Sequence, residues 1–152
     1  MGLAALLVVT MKSFRTKVFD KLSQFIPSVE SFEQHPYWDE SRYSWGYGTA
    51  APGENGTITR SQAFADMIAY LLVDYNTLQK RITQRLTVNQ WVALVSFSYN
   101  LGIGNAFDLV PYINAGDFTN LGVQWQRYIH SGGQVNQNLV KRRQREWALW
   151  NT

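Results

Sequence analysis

Two capping boxes, at residues 59–62 and 87–90, are the features that most constrain the fold of this chain. Each box, TRSQ and TVNQ, pairs a threonine with a glutamine three residues later. Such side chains satisfy the free backbone N–H groups at the start of a helix. Apolar residues follow each box at helical spacing: Phe64, Ile68, Leu71, Tyr75 and Leu78 after the first, and Trp91, Leu94 and Val95 after the second. The region after Ile58 is therefore predicted to be helical.

The first part of the chain predicts a different organisation. Apolar residues keep helical spacing from Lys12 to about Glu33, and Pro27 is expected to break or kink this helix. Glu30 would then lie in a short second helix that begins near Pro27 and ends before Pro36. Aromatic residues around a polar run predict a β-hairpin over residues 37–48, and APGENGT predicts a further turn.

These elements predict a mainly helical α+β fold in a single domain. Its expected parts are an apolar N-terminal segment (1–14), a small lobe with the acid-bearing helix and the hairpin (15–58), a connecting helix (59–80) and a helical lobe (81–152). Later elements of the helical lobe are predicted as a short helix and turn in 107–117, a helix over 118–129, a break at 131–133 and a last helix from about Gln137 to Trp150. A cleft between the two lobes is the natural place for a ligand.

Composition excludes several classes of protein. Of the 152 residues, 45% are hydrophobic and 16% are charged, which suits a globular domain with a real core. The chain has no cysteine, so it contains no disulfide framework and no thiolate metal site. Its two histidines, His35 and His130, are far apart in the sequence, and no cluster of metal ligands accompanies them. We therefore predict no metal and no cofactor.

The charges are unevenly distributed over a net charge of +3. Acids concentrate between Glu30 and Glu54, and bases concentrate near the C-terminus in KRRQR (141–145). A basic segment suits nucleic acid, an anionic membrane or an anionic cell-wall polymer, and it also suits a helix face in water.

The apolar run from Gly2 to Val9 has three interpretations. It is too short to span a bilayer, which needs roughly 20 residues, and it lacks the features of a complete secretory signal. It is a shortened signal-anchor, an ordinary buried or fraying start, or an artefact ahead of a true start at Met11. Contact with a membrane through this segment stays open.

Two carboxylates in the acid-rich stretch are candidates for catalysis. Glu30 and Asp39 are nine residues apart and are separated by a loop that lets both face one cleft. Neighbouring aromatic rings favour the neutral form of Glu30, and a polar turn favours the ionised form of Asp39. Carboxyl groups differentiated in this way suit the hydrolysis of a glycosidic bond, and aromatic rings stack on sugars. By itself, however, an acid-rich aromatic turn is more often a solvated loop over a core.

Four motifs in the same order resemble the phage-type lysozymes, glycoside hydrolase family 24. Glu30-Ser31-Phe32, Asp39 and SWGYGT (44–49) resemble the family's E-G-F…D…T-I-G-Y-G signature. LTVNQWVALVSFSYNLGIG (86–104), INAGDF (113–118) and LVKRRQREWALW (139–150) resemble its later helix, turn and closing helix. The match extends over roughly residues 28–150.

The resemblance implies a lysozyme-like two-lobed fold and a muramidase that cuts the β-1,4 bond between N-acetylmuramic acid and N-acetylglucosamine in peptidoglycan. It makes Glu30 the general acid, with Asp39 and a threonine holding the attacking water, usually with inversion. Ser44 stands at that threonine position, the hairpin is one residue shorter than in the family, and Thr49 is the alternative hydroxyl.

The resemblance also implies further contacts around the two acids. Either Arg142 or Arg143 is expected to reach Glu30, and Tyr47 and Asn100 are expected in the cleft. Lys141 and Arg145 are assigned to solvent or to the wall, and Glu33 and Glu40 are expected to be solvated. Trp147 and Trp150 are expected in the core, on the basis of their helical spacing.

Three functions were compared. The first is a monomeric endolysin that is made in the host cytoplasm, acts on the cell wall and uses no nucleic acid. The second is a non-catalytic peptidoglycan-binding protein on the same fold. The third, a nucleic-acid-binding protein that uses residues 141–145, has no recognition motif, and the hairpin acids would repel phosphate.

Overall fold

The computed structural model describes the backbone of residues 3–152 and the side chains of residues 13–152. Within that part the fold is mainly helical, at 59% helix, with two small antiparallel sheets. The helices are α1 (Leu3–Val29), α2 (Arg60–Gln79), α3 (Val88–Leu101), α4 (Ile103–Phe107), α5 (Val110–Asn114), α6 (Phe118–Trp125) and α7 (Gln137–Trp150), and the strands are β1 (Glu33–Asp39), β2 (Arg42–Gly46), β3 (Thr49–Ala50), β4 (His130–Ser131) and β5 (Gln134–Val135). The predicted mainly helical fold class is confirmed.

Both capping boxes start helices as predicted. Thr59 and Gln62 cap α2 reciprocally, and Thr87 and Gln90 cap α3 in the same way. Helix α3 is the centre of the core, and α1, α2 and α7 pack around it. Its residues from Trp91 to Ser98 are all buried.

The predicted position of Glu30 in a second short helix is wrong. Helix α1 continues through Pro27 to Val29, and Glu30 is the first residue after it. Proline removes its own N–H from the helical ladder and crowds the carbonyl four residues earlier, but it leaves the N–H groups of the following residues available. The Glu30 N–H still reaches the carbonyl of Ile26, at 2.8 Å. Glu30 is therefore attached to the end of a long helix that packs against α3.

The first sheet has the order β1-β2-β3 and contains the predicted hairpin. Its strands begin earlier than expected, because β1 starts at Glu33, and an irregularity in register lies between Glu33 and Tyr37. Asp39 is the last residue of β1 and pairs with Arg42 across the turn. The turn residue Glu40 has a φ of +51°, which is unusual for a residue other than glycine.

The second sheet was not predicted. Strands β4 and β5 form a two-residue hairpin in a region that was expected to contain only helix and a break. Gly132 and Gly133 make its turn, and both have positive φ. Helix α6 consequently ends at Trp125, earlier than its predicted end.

The closing helix α7 packs its tryptophans inward as predicted. Trp150 is 2% exposed, and Trp147 packs against the core. The ring centroids of Trp125, Trp147 and Trp150 lie between 5.6 and 6.3 Å from one another. Most of the predicted apolar segment, 1–14, lies outside the residues whose side chains are described. Among the helices of the described part, none combines the length and the apolar character needed to cross a membrane.

Candidate active site

A groove of about 400 Å³ lies where the first hairpin, the end of α1 and the start of α7 meet. It brings together four of the predicted site residues, Glu30, Asp39, Asn100 and Arg142. The remaining lining residues come from the same elements and from the second hairpin: Val29, Glu40, Leu101, His130, Ser131, Asn136, Asn138 and Leu139. Residues from both halves of the chain therefore line one continuous groove.

Glu30 is held by a buried cation. The guanidinium group of Arg142 contacts Glu30 Oε1, and the two side chains are 6% and 21% exposed respectively. Of the two arginines that the sequence left open, Arg142 is the one that reaches Glu30. The aromatic surroundings expected for Glu30 are thus only part of its environment.

Gly48 makes room for the second oxygen of Glu30. Its φ is +87°, and a Cβ atom at this position would lie 3.4 Å from Glu30 Oε2. A side chain here would be strained in its backbone conformation and would crowd the carboxylate. The second glycine of the GYG motif therefore serves the acid directly.

Arg142 is itself anchored on α3 and α7. Its Nη2 donates to the carbonyl of Ser96 at 3.2 Å, and its Nε lies 3.4 Å from Glu146 Oε1. Arg142 and Arg143 are both buried, so they do not belong to a solvated or wall-binding basic face. These two bases of the KRRQR segment can be buried because they form ion pairs with Glu30 and Glu146 inside the molecule.

Arg145 is exposed, in agreement with its assignment to solvent or the wall, and it also contacts α1. It donates to the carbonyl and the hydroxyl of Ser28, at 3.1 and 2.9 Å. This contact stabilises the C-terminal end of α1, where carbonyl groups lack helical partners.

Asp39 occupies the opposite side of the groove in a more open setting. It is exposed at the end of β1, beside the exposed Arg42. Burial raises the pKa of Tyr37, and the charges of Asp39 and Glu30 raise it further. The phenol of Tyr37 therefore lies in the field of both acids.

Ser44 and Tyr47 do not line this groove. Ser44 is completely buried on β2, and its hydroxyl has no hydrogen-bond partner among the described residues. It pairs with Tyr37, so its side chain projects from the face of the sheet that also carries Asp39. Tyr47 is 9% exposed, and its carbonyl accepts a hydrogen bond from the Tyr99 hydroxyl at 2.6 Å.

A contact between the two hairpins lies in the lining of the groove. The hydroxyl of Ser131, in the second hairpin, contacts Glu40 in the turn of the first hairpin. Glu40 is exposed, as expected, and makes this contact in addition. The Ser-Gly-Gly sequence at 131–133 was the available signal for the second hairpin, because paired glycines are typical of tight hairpin turns.

No group of three or more histidine, aspartate or glutamate side chains is close enough to hold a metal ion in the part of the chain that the structure describes. The chemistry available in the groove is that of three carboxylates, a buried guanidinium, the imidazole of His130 and neutral polar groups.

A helical body, a small hairpin sheet and a groove with two acids between them define the class of lysozyme-like folds. The sequence model of the phage lysozyme family matches residues 27–146, which is most of the chain. The chain belongs to the phage lysozyme family.

Individual relatives support this assignment. The chain is 34% identical over 127 residues to the endolysin of Bacillus phage PZA, a match that covers 74% of this chain and 45% of that protein. The chain therefore spans less than half the length of that endolysin. It is 27% identical to the SAR-endolysin of Escherichia phage Mu, with 97% of this chain and 90% of that protein covered.

A solved structure gives the same fold. The muramidase domain of SpmX from Asticaccaulis excentricus superposes with a TM-score of 0.77 and 28% sequence identity, covering 87% of this chain and 95% of that domain.

Proposed function

We propose that this protein is an endolysin-type muramidase that hydrolyses the β-1,4 bond between N-acetylmuramic acid and N-acetylglucosamine in bacterial peptidoglycan. The observation that carries the proposal is the convergence of Glu30 and Asp39 on one groove. Family membership and the similarity to a muramidase domain support it.

Glu30 is assigned as the general acid and Asp39 as the residue that orients and deprotonates water. Arg142 fixes the Glu30 carboxyl group through Oε1. Proton donation to the leaving sugar oxygen is then the task of the remaining oxygen, Oε2, which lies beside Gly48. Asp39 suits the second role because it is exposed, so water reaches it directly.

We propose that the Ser44 hydroxyl helps to position the attacking water. A buried hydroxyl without a protein partner has both a donor and two acceptor sites available. The face of the sheet on which it lies is the one that carries Asp39.

Asn100 and Tyr47 are assigned to substrate binding, in different ways. Asn100 lines the groove, and its Oδ1 accepts from Arg143 at 2.7 Å, which leaves the amide N–H groups for a sugar. Tyr47 is nearly buried against Phe32 and supports the wall of the site.

The place of action that we propose is the cell wall, after synthesis in the host cytoplasm. The net positive charge suits anionic wall polymers. Two routes to the wall are compared, export through the apolar N-terminal segment and release from the cytoplasm by a holin, and fractionation of cells that express the chain from Met1 or from Met11 distinguishes them. We expect a monomer, because the groove is built within one chain.

The decisive experiment is digestion of purified peptidoglycan with mass and NMR analysis of the products. Wild type should release N-acetylmuramic acid reducing ends, and Glu30→Gln should release about 10³-fold fewer per unit time because the proton donor is lost. Glu33→Gln, which removes a nearby exposed acid, is the matched control and should retain activity.

Two results would overturn the proposal. One is equal product release by wild type and Glu30→Gln. The other is a wild-type protein that sediments with the wall and releases no reducing ends, which would establish the alternative of a non-catalytic peptidoglycan-binding protein.

A further inference from the structure

Glu146 is a completely buried acid on α7 that contacts two arginines at once. Its Oε1 lies 2.6 Å from Arg143 Nη2 and 3.4 Å from Arg142 Nε. The spacings of three and four residues place all three side chains on one side of the helix. Burial raises the pKa of Glu146, and the two guanidinium groups oppose that rise.

Each of these arginines leads from Glu146 to a residue of the groove. Arg142 contacts Glu30, and Arg143 Nη2 donates to Asn100 Oδ1 at 2.7 Å. Two acids and two cations thus form a charge-balanced chain that runs from the proton donor to the substrate-facing amide. Its centre, Glu146, lines no part of the groove that we describe.

The surroundings of the two guanidinium groups make their positions depend on Glu146. Arg143 is completely buried and stacks over the ring of Phe97, at 5.0 Å from the centroid. Burial lowers the pKa of Arg143, and the Glu146 carboxylate is the main group that counteracts this. Among the residues that the structure describes, Glu30 is the only other acid in contact with the pair.

We propose that Glu146 is a positioning residue for the hydrolysis, which sets the orientation of Glu30 through Arg142 and of Asn100 through Arg143. This inference rests on the proposed muramidase function. It predicts two separable effects of one buried residue: one on kcat through Glu30, and one on KM through Asn100. A role confined to stability would change neither constant of the folded enzyme.

The test is steady-state hydrolysis of peptidoglycan by Glu146→Gln, with the folded fraction measured by circular dichroism. Loss of the charge should lower kcat about 10- to 100-fold through misplacement of the acid. KM should also rise severalfold. Asp74→Asn is the matched control, because it neutralises a partly buried acid that accepts a hydrogen bond from Ser98 and lines no part of the groove, and it should keep both constants.

A double-mutant cycle with Arg142→Lys identifies the route. If Glu146 acts through Arg142, the double variant should have the kcat of Arg142→Lys alone, within about twofold. Multiplying losses would overturn the inference, and so would wild-type constants for folded Glu146→Gln. If Glu146→Gln does not fold, Glu146→Asp keeps the charge and withdraws the carboxylate, and wild-type constants there would overturn it as well. A wild-type enzyme that cleaves nothing would instead refute the proposed function.

Discussion

The two acids of the groove are supported in opposite ways. Glu30 is largely covered and is held by Arg142, which is 6% exposed and is tied to α3 and to Glu146. Asp39 is exposed at the end of β1. The next residue, Glu40, lies in the turn and contacts Ser131. One acid thus depends on packing across the molecule, and the other depends mainly on a hairpin.

This difference separates the two chemical roles. A proton donor has to be oriented toward one oxygen of the substrate, and rigid partners keep it there. A group that activates water has to remain open to solvent. We therefore expect substitutions far from the groove to affect Glu30 more than Asp39.

The largest expected effect is loss of activity when either acid is truncated, and small anions distinguish the two. Asp39→Ala and Glu30→Ala should each lose at least about 10²-fold in kcat. Added formate should partly restore Asp39→Ala, because a solvent anion replaces an exposed base. It should not restore Glu30→Ala, because ionised formate has no proton to donate. Rates with and without formate check this, and restoration of both variants would break the comparison.

The second effect concerns how much the arginines beside Glu30 and Asp39 contribute to the stability of the protein. Arg142→Gln should lower the free energy of unfolding by about 3–5 kcal/mol, because it leaves the largely covered Glu30 carboxylate without its cation and removes one of the two cations of the buried Glu146. Arg42→Gln removes the exposed arginine beside Asp39 and should change it by no more than about 0.5 kcal/mol. Urea unfolding of both variants measures the difference, and equal losses would contradict it.

A smaller effect is expected from the buried hydroxyl beneath the hairpin acid. Ser44→Ala should lower kcat about tenfold through loss of the water contact, with little change in stability, since the hydroxyl has no protein partner among the described residues. Thr49→Val is the control. Thr49 pairs with Trp45, so its side chain projects from the opposite face of the strands. If only Thr49→Val reduced the rate, Thr49 would hold the water instead.

The smallest effect is a pH-dependent change in stability at Asp74, a partly buried acid that accepts a hydrogen bond from Ser98. Burial raises the pKa of Asp74 above its ordinary value of 3.8, and the hydrogen bond from Ser98 opposes this rise. Ionisation therefore costs the folded state more than the unfolded state, and the cost is absent below the unfolded pKa and complete above the folded one. Asp74→Asn should match wild type near about pH 3 and become the more stable protein toward about pH 7. Unfolding curves at both pH values test this, and a gap that narrows with rising pH would refute it.

Local signals predicted most of the helices and the first hairpin. The capping boxes at Thr59 and Thr87 start the helices that they predicted, since their interactions span only three residues. The β4–β5 hairpin was missed because two-residue strands carry no alternating pattern. Pro27 was misread because a single missing N–H is outweighed when the rest of the helix packs against α3.

The sequence by itself determined the helices, the first hairpin and the order of two acids nine residues apart, because each depends on neighbours along the chain. Only the tertiary structure decided that Arg142, 112 residues from Glu30, is its partner, and that Glu146 is buried between two arginines. The RRxxE spacing places these charges on one side of a helix, whether that side faces water or protein. Which side is buried depends on how α7 packs against α3, and that is a property of the whole molecule.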